Sequence, residues 1–360
     1  MKVALLGLSP PHAGSLLTTL ENLAAVTQIC LWDSDPAVVA KPDLPASRKA
    51  LAPTGDLDAV LGQRDLVFAV VCVRNDQLAA LSLRVVTAGK HLIAEKPAGL
   101  TSAEITGVQL AANRAGVVAS VLYPRRFHPC AAAARKLAQS GSLGTMLTAE
   151  CRFLTTQVKF RRPESWLFQR RHAGGGILLW LGCHCLDLFH YITGDEITEL
   201  AAVLTTRSGE AIDVEDCAAL ALKFRSGAVG TFNAGYTMAY SGQGYLNSGG
   251  YDSYLGFNGR DGRIVWPDLE PRLYIESPPA PGGRAQREET YPMPPSTSYG
   301  GIAGDEFFRL FLAAMRKEGP SPTTLHDAIR TARIIEAAAE SSASGAFVKV
   351  KADTSFPAAV

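Results

Sequence analysis

The run Gly89-Lys90-His91-Leu92-Ile93-Ala94-Glu95-Lys96-Pro97 is an apolar strand that ends in a carboxylate and an ammonium and is closed by a proline. Proline keeps the residue before it out of the helical region, so Glu95 and Lys96 are expected at a strand tip, extended or in a turn. Strand tips are where open α/β sheets bind ligands. A lysine placed there can donate a proton or stabilise an oxyanion if its surroundings lower its pKa. A surface turn carrying a solvated ion pair is the competing account of the same residues. A second chemical group is His184, behind the run Gly174-Gly175-Gly176. An imidazole suits general-base work at neutral pH, and a buried helix histidine satisfied by a carbonyl is its structural alternative. Cys183-His184-Cys185 has neither CxxC spacing nor a second cluster, so no metal site is expected.

The elements that position Lys96 read as a doubly wound parallel sheet. Lys2 to Leu8 is a strand that breaks at Gly7, Ser15 to Leu23 a helix, and Gln28 to Trp32 a second strand ending on Asp33. Asp33 lies roughly 20 residues beyond the first turn, where a dinucleotide-binding fold places its ribose acid. That acid would favour NAD over NADP by repelling a 2′-phosphate. In the turn, the three positions of a G-x-G-x-x-G pattern are Gly7, Ser9 and His12, with Pro10 and Pro11 between them. Ser9 as N-cap with Pro10 at the first helical position is good helix-start chemistry. Both prolines, however, lack the N–H that holds a pyrophosphate at a helix N-terminus. Either the amides of His12, Ala13 and Gly14 and the His12 imidazole hold it, or nothing does. Leu57 to Leu61 is a short helix, and Asp65 to Val73 is apolar throughout, as in a strand buried on both faces. The helix Gln77 to Ala88, the strand His91 to Ala94, Ser102 opening a helix over Ala103 to Ala115, and the strand Val117 to Leu122 complete this half.

From Tyr123 onward the pattern changes. After a helix at Ala131 to Gln139 come alternating runs at Met146 to Thr155, Glu199 to Thr206, Cys217 to Phe224 and Ala228 to Tyr236, with hairpin turns between later strands. One helix, Ile177 to Ile192, interrupts them. Residues 275–300 are rich in Pro, Gly and Ser and read as a long surface loop. Asp305 to Lys317 and Leu325 to Ser342 are closing helices. The fold class is therefore a Rossmann domain over residues 1–122 followed by an α+β domain over 123–360, built on a mostly antiparallel open sheet.

Composition bounds the function. With 360 residues the chain suits two domains, and 47% hydrophobic with 19% charged residues marks it as globular. A net charge of +1 and scattered Lys and Arg exclude a phosphate track, so no nucleic acid is expected. No stretch reads as a membrane span or a signal peptide. Seven dispersed cysteines fit reduced thiols and a cytoplasmic location.

Taken together, the chain resembles the Gfo/Idh/MocA oxidoreductases over nearly its whole length. The residues that carry the resemblance are Glu95-Lys96-Pro97, then Arg126-Phe127-His128-Pro129, Gly141-Ser142-Leu143-Gly144, and the run from Gly174 to Asp187. The resemblance implies hydride transfer between a bound NAD(P) and a secondary alcohol or ketone of a sugar, cyclitol or related polyol. It implies that Glu95 touches the nicotinamide ribose, Lys96 the reacting oxygen, and that His184 takes or returns the proton. Gly7, Ser9, His12, Asp33, Asn75, Glu95, Lys96 and Pro97 are then the cofactor-binding candidates. Asp187 joins Lys96 and His184 as a catalytic candidate, able to orient the imidazole from three residues away or to serve only as a cap or interface carboxylate. Tyr123, Arg126, Trp166, Arg171 and Trp180 are candidates to face substrate, an indole for a sugar ring and a guanidinium for an anion. For Arg171, just before the glycine run, a solvated loop charge is the alternative.

Three positions depart from the family pattern. Trp180 stands where an Asp is found one turn before the histidine, the glycine loop is eroded, and Val73-Arg74-Asn75-Asp76-Gln77-Leu78 keeps only the asparagine of Thr-Pro-Asn-x-x-His. These departures keep two other readings open: a relative with bound or lost NAD acting as a lyase or glycosidase-type enzyme, and a non-catalytic binding protein. The family's pairing of subunits across the second sheet implies a homodimer or homotetramer.

Overall fold

The computed structural model of the protein describes residues 1–156, 158–236, 251–267, 270–278 and 285–352. Its first sheet is fully parallel, in the order β2-β1-β3-β4-β5. The strands are β1 (Lys2–Leu6), β2 (Gln28–Trp32), β3 (Leu66–Val71), β4 (His91–Ala94) and β5 (Ala119–Val121). Near-continuous runs of Val, Ile, Leu and Ala make strands that are buried on both faces, which a parallel sheet requires. Gly7 follows β1 at φ +101°, and a Cβ there would sit 2.0 Å from the Cys72 carbonyl oxygen, so no side chain fits where the first turn crosses the end of β3.

The second sheet has nine strands in the order β13-β12-β11-β10-β6-β9-β8-β7-β14. They are β6 (Met146–Thr155), β7 (Ile197–Thr205), β8 (Cys217–Phe224), β9 (Val229–Gly235), β10 (Tyr251–Gly259), β11 (Arg263–Pro267), β12 (Arg272–Glu276), β13 (Gln286–Thr290) and β14 (Val348–Lys349). Neighbours pair antiparallel except β6 with β9. Alternation of buried and exposed residues, clean in β8 and β9, matches a sheet with one packed face. A core of Phe153, Phe189, Phe232, Phe257 and Trp266 lies between that face and the Cys183–Thr193 helix.

Four local expectations are corrected. Residues 286–290, read as loop, form β13; Gln286-Arg287-Glu288-Glu289 is polar on both faces because it is an exposed edge strand, which hydropathy does not register. The helix over Ser102–Ala115 is capped by Thr101, whose hydroxyl accepts the Glu104 amide at 3.2 Å, not by Ser102. The helix after β1 spans Ala13–Asn22 with His12 at its N-cap, so Pro10 and Pro11 lie in the turn before it and not in its first turn. Finally, Arg170–Thr193 is long and apolar enough to match a membrane span, but 89% of its most apolar window is buried within the protein, the pattern of a core helix.

By packing, the chain forms two units, residues Met1–Phe127 with Pro294–Ile329, and residues His128–Met293 with Arg330–Val360. The segment 294–329, read as part of the second half, thus belongs to the first unit. Phe307, Phe308 and Phe311 of the Ile302–Met315 helix join Val3, Leu5, Phe68, Val70 and Ile93 in one core. The helix is amphipathic and would pack on any open sheet face, so its sequence does not name the sheet it covers.

Candidate functional site

At the end of β4 the backbone turns, with the Glu95 amide on the Val71 carbonyl at 2.9 Å and the Ala98 amide on the Glu95 carbonyl at 2.9 Å. Glu95 and Lys96 are 4% and 1% exposed, so the surface-turn account of this pair is overturned. Pro97 is buried beside them. The Glu95 carboxylate meets a ring nitrogen of His12, Nδ1 to Oε1 at 2.6 Å. Burial opposes its ionisation, but the charges of His12 and Lys96, the His12 hydrogen bond and the nearby Tyr299 hydroxyl outweigh it and hold its pKa below the ordinary carboxylate value. Burial, then the Glu95 charge, push the Tyr299 hydroxyl and the Cys72 thiol well up. Glu95 Oε2 has no hydrogen-bond partner among the described residues. A buried carboxylate oxygen left this way costs free energy unless a ligand donor reaches it.

Asp33, 6% exposed at the tip of β2, accepts the Leu8 amide on Oδ2 at 2.8 Å and the Asp35 amide on Oδ1 at 3.0 Å. It therefore ties the first turn to the second strand. A carboxylate offers about four acceptor sites, so two amides do not exhaust it. The Ala13 amide is taken by the Pro10 carbonyl at 3.0 Å, which removes one of the amides considered for a pyrophosphate. His12 is likewise turned to Glu95 instead of capping its own helix. Ser9 is exposed, and Asn75 is 2% exposed as the first residue of the helix after β3.

Two substrate candidates also lie in the first unit. Tyr123 is 1% exposed, two residues after β5. The Arg126 guanidinium pairs with Asp327 at 2.9 Å, both side chains largely buried. That pair anchors the Pro124–Phe127 turn to the first turn of the Leu325–Ser344 helix, a structural use that the sequence spacing of 201 residues conceals.

In the second unit the glycine run is explained by close packing. A Cβ on Gly176 would lie 1.7 Å from the Glu215 carbonyl oxygen, to which the Ile177 amide donates at 3.0 Å. The Glu215 carboxylate also accepts from the Leu178 amide at 3.4 Å. The place of Glu215 is not legible in the sequence, where its only signal is a second carboxylate beside Asp216 ahead of the alternating run. Leu178–Gly182 then winds as a π-helical turn, a feature common at functional sites, and the α-helix Cys183–Thr193 follows. His184 and Asp187 occupy its first two turns at 5% and 3% exposed. Trp180 is 5% exposed and packs edge-on against Trp166, ring centroids 5.9 Å apart. Arg171 is exposed and donates to Gln169 Oε1 at 3.1 Å.

Burial raises the Glu215 pKa from its usual 4.5, against the pull of nearby amides and of Arg170. The fold thus favours the neutral acid. That contribution is complete below the unfolded value and is lost as pH rises through the higher folded value. Replacing Glu215 by Gln should therefore shift melting temperature progressively in the variant's favour as pH rises from about 4 to 8. A difference that stays constant with pH would show that this carboxyl titrates alike in the folded and unfolded chain, and that burial does not raise it.

Comparison with known proteins agrees with this architecture. Residues 1–123 match the family model described as an oxidoreductase family with an NAD-binding Rossmann fold, and residues 131–265 match the GFO/IDH/MocA C-terminal domain. Levoglucosan dehydrogenase of Pseudarthrobacter phenanthrenivorans is 27% identical over 238 residues, 59% of this chain and 58% of that protein. Myo-inositol 2-dehydrogenase of Thermotoga maritima is 26% identical over 199 residues, 54% of each. The chain thus spans little more than half the length of these curated relatives. The solved structure of a levoglucosan dehydrogenase in complex with NADH superposes with a TM-score of 0.83 at 22% identity, covering 98% of this chain and 99% of that one, which establishes likeness of fold. Two domain matches in the right order, over a parallel five-stranded sheet and a nine-stranded mixed sheet, place this chain in the Gfo/Idh/MocA oxidoreductase family.

Proposed function

We propose that this protein is a nicotinamide-dependent oxidoreductase acting on a secondary alcohol or ketone of a sugar, cyclitol or related polyol. The observation that carries the reading is the buried pair at the tip of β4, an ionised Glu95 beside a fully buried Lys96. Ionised groups are buried at a cost of several kcal/mol each, and they persist where function uses them. The residues fit a dinucleotide: Gly7 admits no side chain at the first turn, Asp33 sits at the β2 tip, and Glu95 Oε2 is a buried acceptor. When bound, the nicotinamide supplies the hydride-exchanging carbon. Asp33 would accept from a ribose hydroxyl and disfavour a 2′-phosphate, which makes NAD the preferred form. In the roles we assign, Lys96 holds the reacting oxygen, His184 exchanges its proton, and Asp187 orients His184. Asn75 and Pro97 shape the cofactor side, while Tyr123, Trp166 and Trp180 are assigned to the substrate side.

One observation favours a second reading. Trp180, buried against Trp166, leaves an indole where the family pattern has a carboxylate. Loss of that group points to a relative that uses its cofactor in elimination or hydrolysis. Seven cysteines outside any disulfide fit a reducing, cytoplasmic setting. A second copy of the chain is the partner we assign to the open face of the nine-stranded sheet, where Val203, Ala219 and Ala221 are exposed.

Titration with NADH tests the reading. Binding should quench the cofactor's fluorescence, and absorbance at the NADH band across a panel of polyols with NAD should then rise with one of them. No quenching up to millimolar NADH would overturn the proposal; quenching without any redox change would favour the elimination or hydrolysis reading.

A further inference from the structure

The position of the third glycine in a phosphate-binding loop is a histidine here, and its ring does not point back to its own helix. His12 meets the Glu95 carboxylate at 2.6 Å, and the Tyr299 ring lies against the imidazole, centroids 4.7 Å apart and tilted by 45°. Three separate pieces of the first unit converge on one carboxylate: the turn after β1, the tip of β4, and the segment after residue 294. Of the two carboxylate oxygens, Oε1 is the one that meets the imidazole. Its twin, Oε2, is buried, ionised with it, and without a hydrogen-bond partner among the described residues. A carboxylate buried only for structure would have both oxygens satisfied, since an unmatched charged acceptor in the interior is costly.

We propose that His12 and Tyr299 are positioning residues that clamp Glu95 by one oxygen, so that the other accepts a hydroxyl of the ribose at the nicotinamide end of the cofactor. The inference rests on the cofactor reading above and adds two residues and a division of labour between the carboxylate oxygens. An N–H bond from Nδ1 to Oε1 fixes the carboxylate rotamer and prevents the free oxygen from rotating away. The Tyr299 ring holds the imidazole plane, and its hydroxyl, kept protonated by burial and by the Glu95 charge, lies beside the same carboxylate. In this chain an imidazole clamp on the ribose acid takes over part of the cofactor affinity that Pro10 and Pro11 remove from the loop.

The test compares NADH with ADP, which carries the pyrophosphate but lacks the nicotinamide ribose. In the full-length protein, His12→Ala should weaken NADH by about tenfold or more, the worth of a hydrogen bond to a charged group, and leave ADP within about twofold. His12→Gln, whose side-chain amide can still donate to Oε1, should recover most of the loss, and Tyr299→Phe should show a smaller one. Equal weakening of NADH and ADP would place His12 on the pyrophosphate or in the integrity of the loop and overturn the clamp. Unchanged affinity for both in His12→Ala would overturn it as well. Failure of the wild-type protein to bind NADH would instead remove the cofactor reading. If His12→Ala does not fold, the ratio of NADH to ADP affinity in His12→Gln and Tyr299→Phe decides, and a ratio equal to wild type in both overturns the proposal.

Discussion

Replacing Lys96 by Met is expected to lower turnover by about 10²–10⁴-fold, the range that a positioned proton-transfer group contributes. Methionine approximates the buried volume of the lysine stem, which matters because Lys96 is 1% exposed and a truncated side chain would leave a cavity. The variant should still bind NADH within a few-fold, since the group removed is assigned to the reacting oxygen. Removing its charge also takes away one of the influences that keep Glu95 ionised, so the Glu95 pKa should rise. Lys96→Arg separates charge from proton exchange. A guanidinium keeps the positive charge beside Glu95 but does not give up a proton at any working pH. If Lys96 acts by proton transfer, Arg should be as slow as Met. If Arg restores the rate, the residue acts only as a charge, and an unaltered rate in both variants would remove it from the mechanism.

The second large effect is on stability. Gly176→Ala should destabilise the second unit by about 2–4 kcal/mol, combining the usual cost of overpacking with the loss of one backbone hydrogen bond. The added Cβ would fall 1.7 Å from the Glu215 carbonyl oxygen, and that atom is backbone, so it cannot swing aside as a side chain would. Relief requires moving the start of β8 or the turn that leads to His184. The Ile177 amide bond to the same oxygen, 3.0 Å long, would be lost with either movement. A melting transition lowered by roughly 5–15 °C is the expected reading. Gly107→Ala is the matched control. Gly107 is exposed in the middle of the Ser102–Ala115 helix with nothing within 4 Å of its added Cβ, and there alanine should stabilise by about 0.5–1 kcal/mol. Equal melting of wild type and Gly176→Ala would mean that the close approach to Glu215 is not retained in solution.

What the sequence determined by itself were the local matters. Gln28–Trp32, Leu57–Leu61, His91–Ala94, Met146–Thr155 and Cys217–Phe224 have the limits that periodicity and breakers place on them, because apolar spacing and turn residues act within a few positions of one another. The strand-tip placement of Glu95 and Lys96 was legible for the same reason. Tertiary structure alone decided what those groups touch. Nothing near residue 299, in a stretch of Pro, Gly and Ser, announces that its ring will pack on His12, nor does Arg126 announce Asp327. Glu215 against Gly176 and the return of residues 294–329 to the first unit are of the same kind. Such pairings are set by which surfaces remain to be buried once the sheets have formed, and burial is non-directional, so a linear pattern specifies that a face will be covered without specifying by which residue.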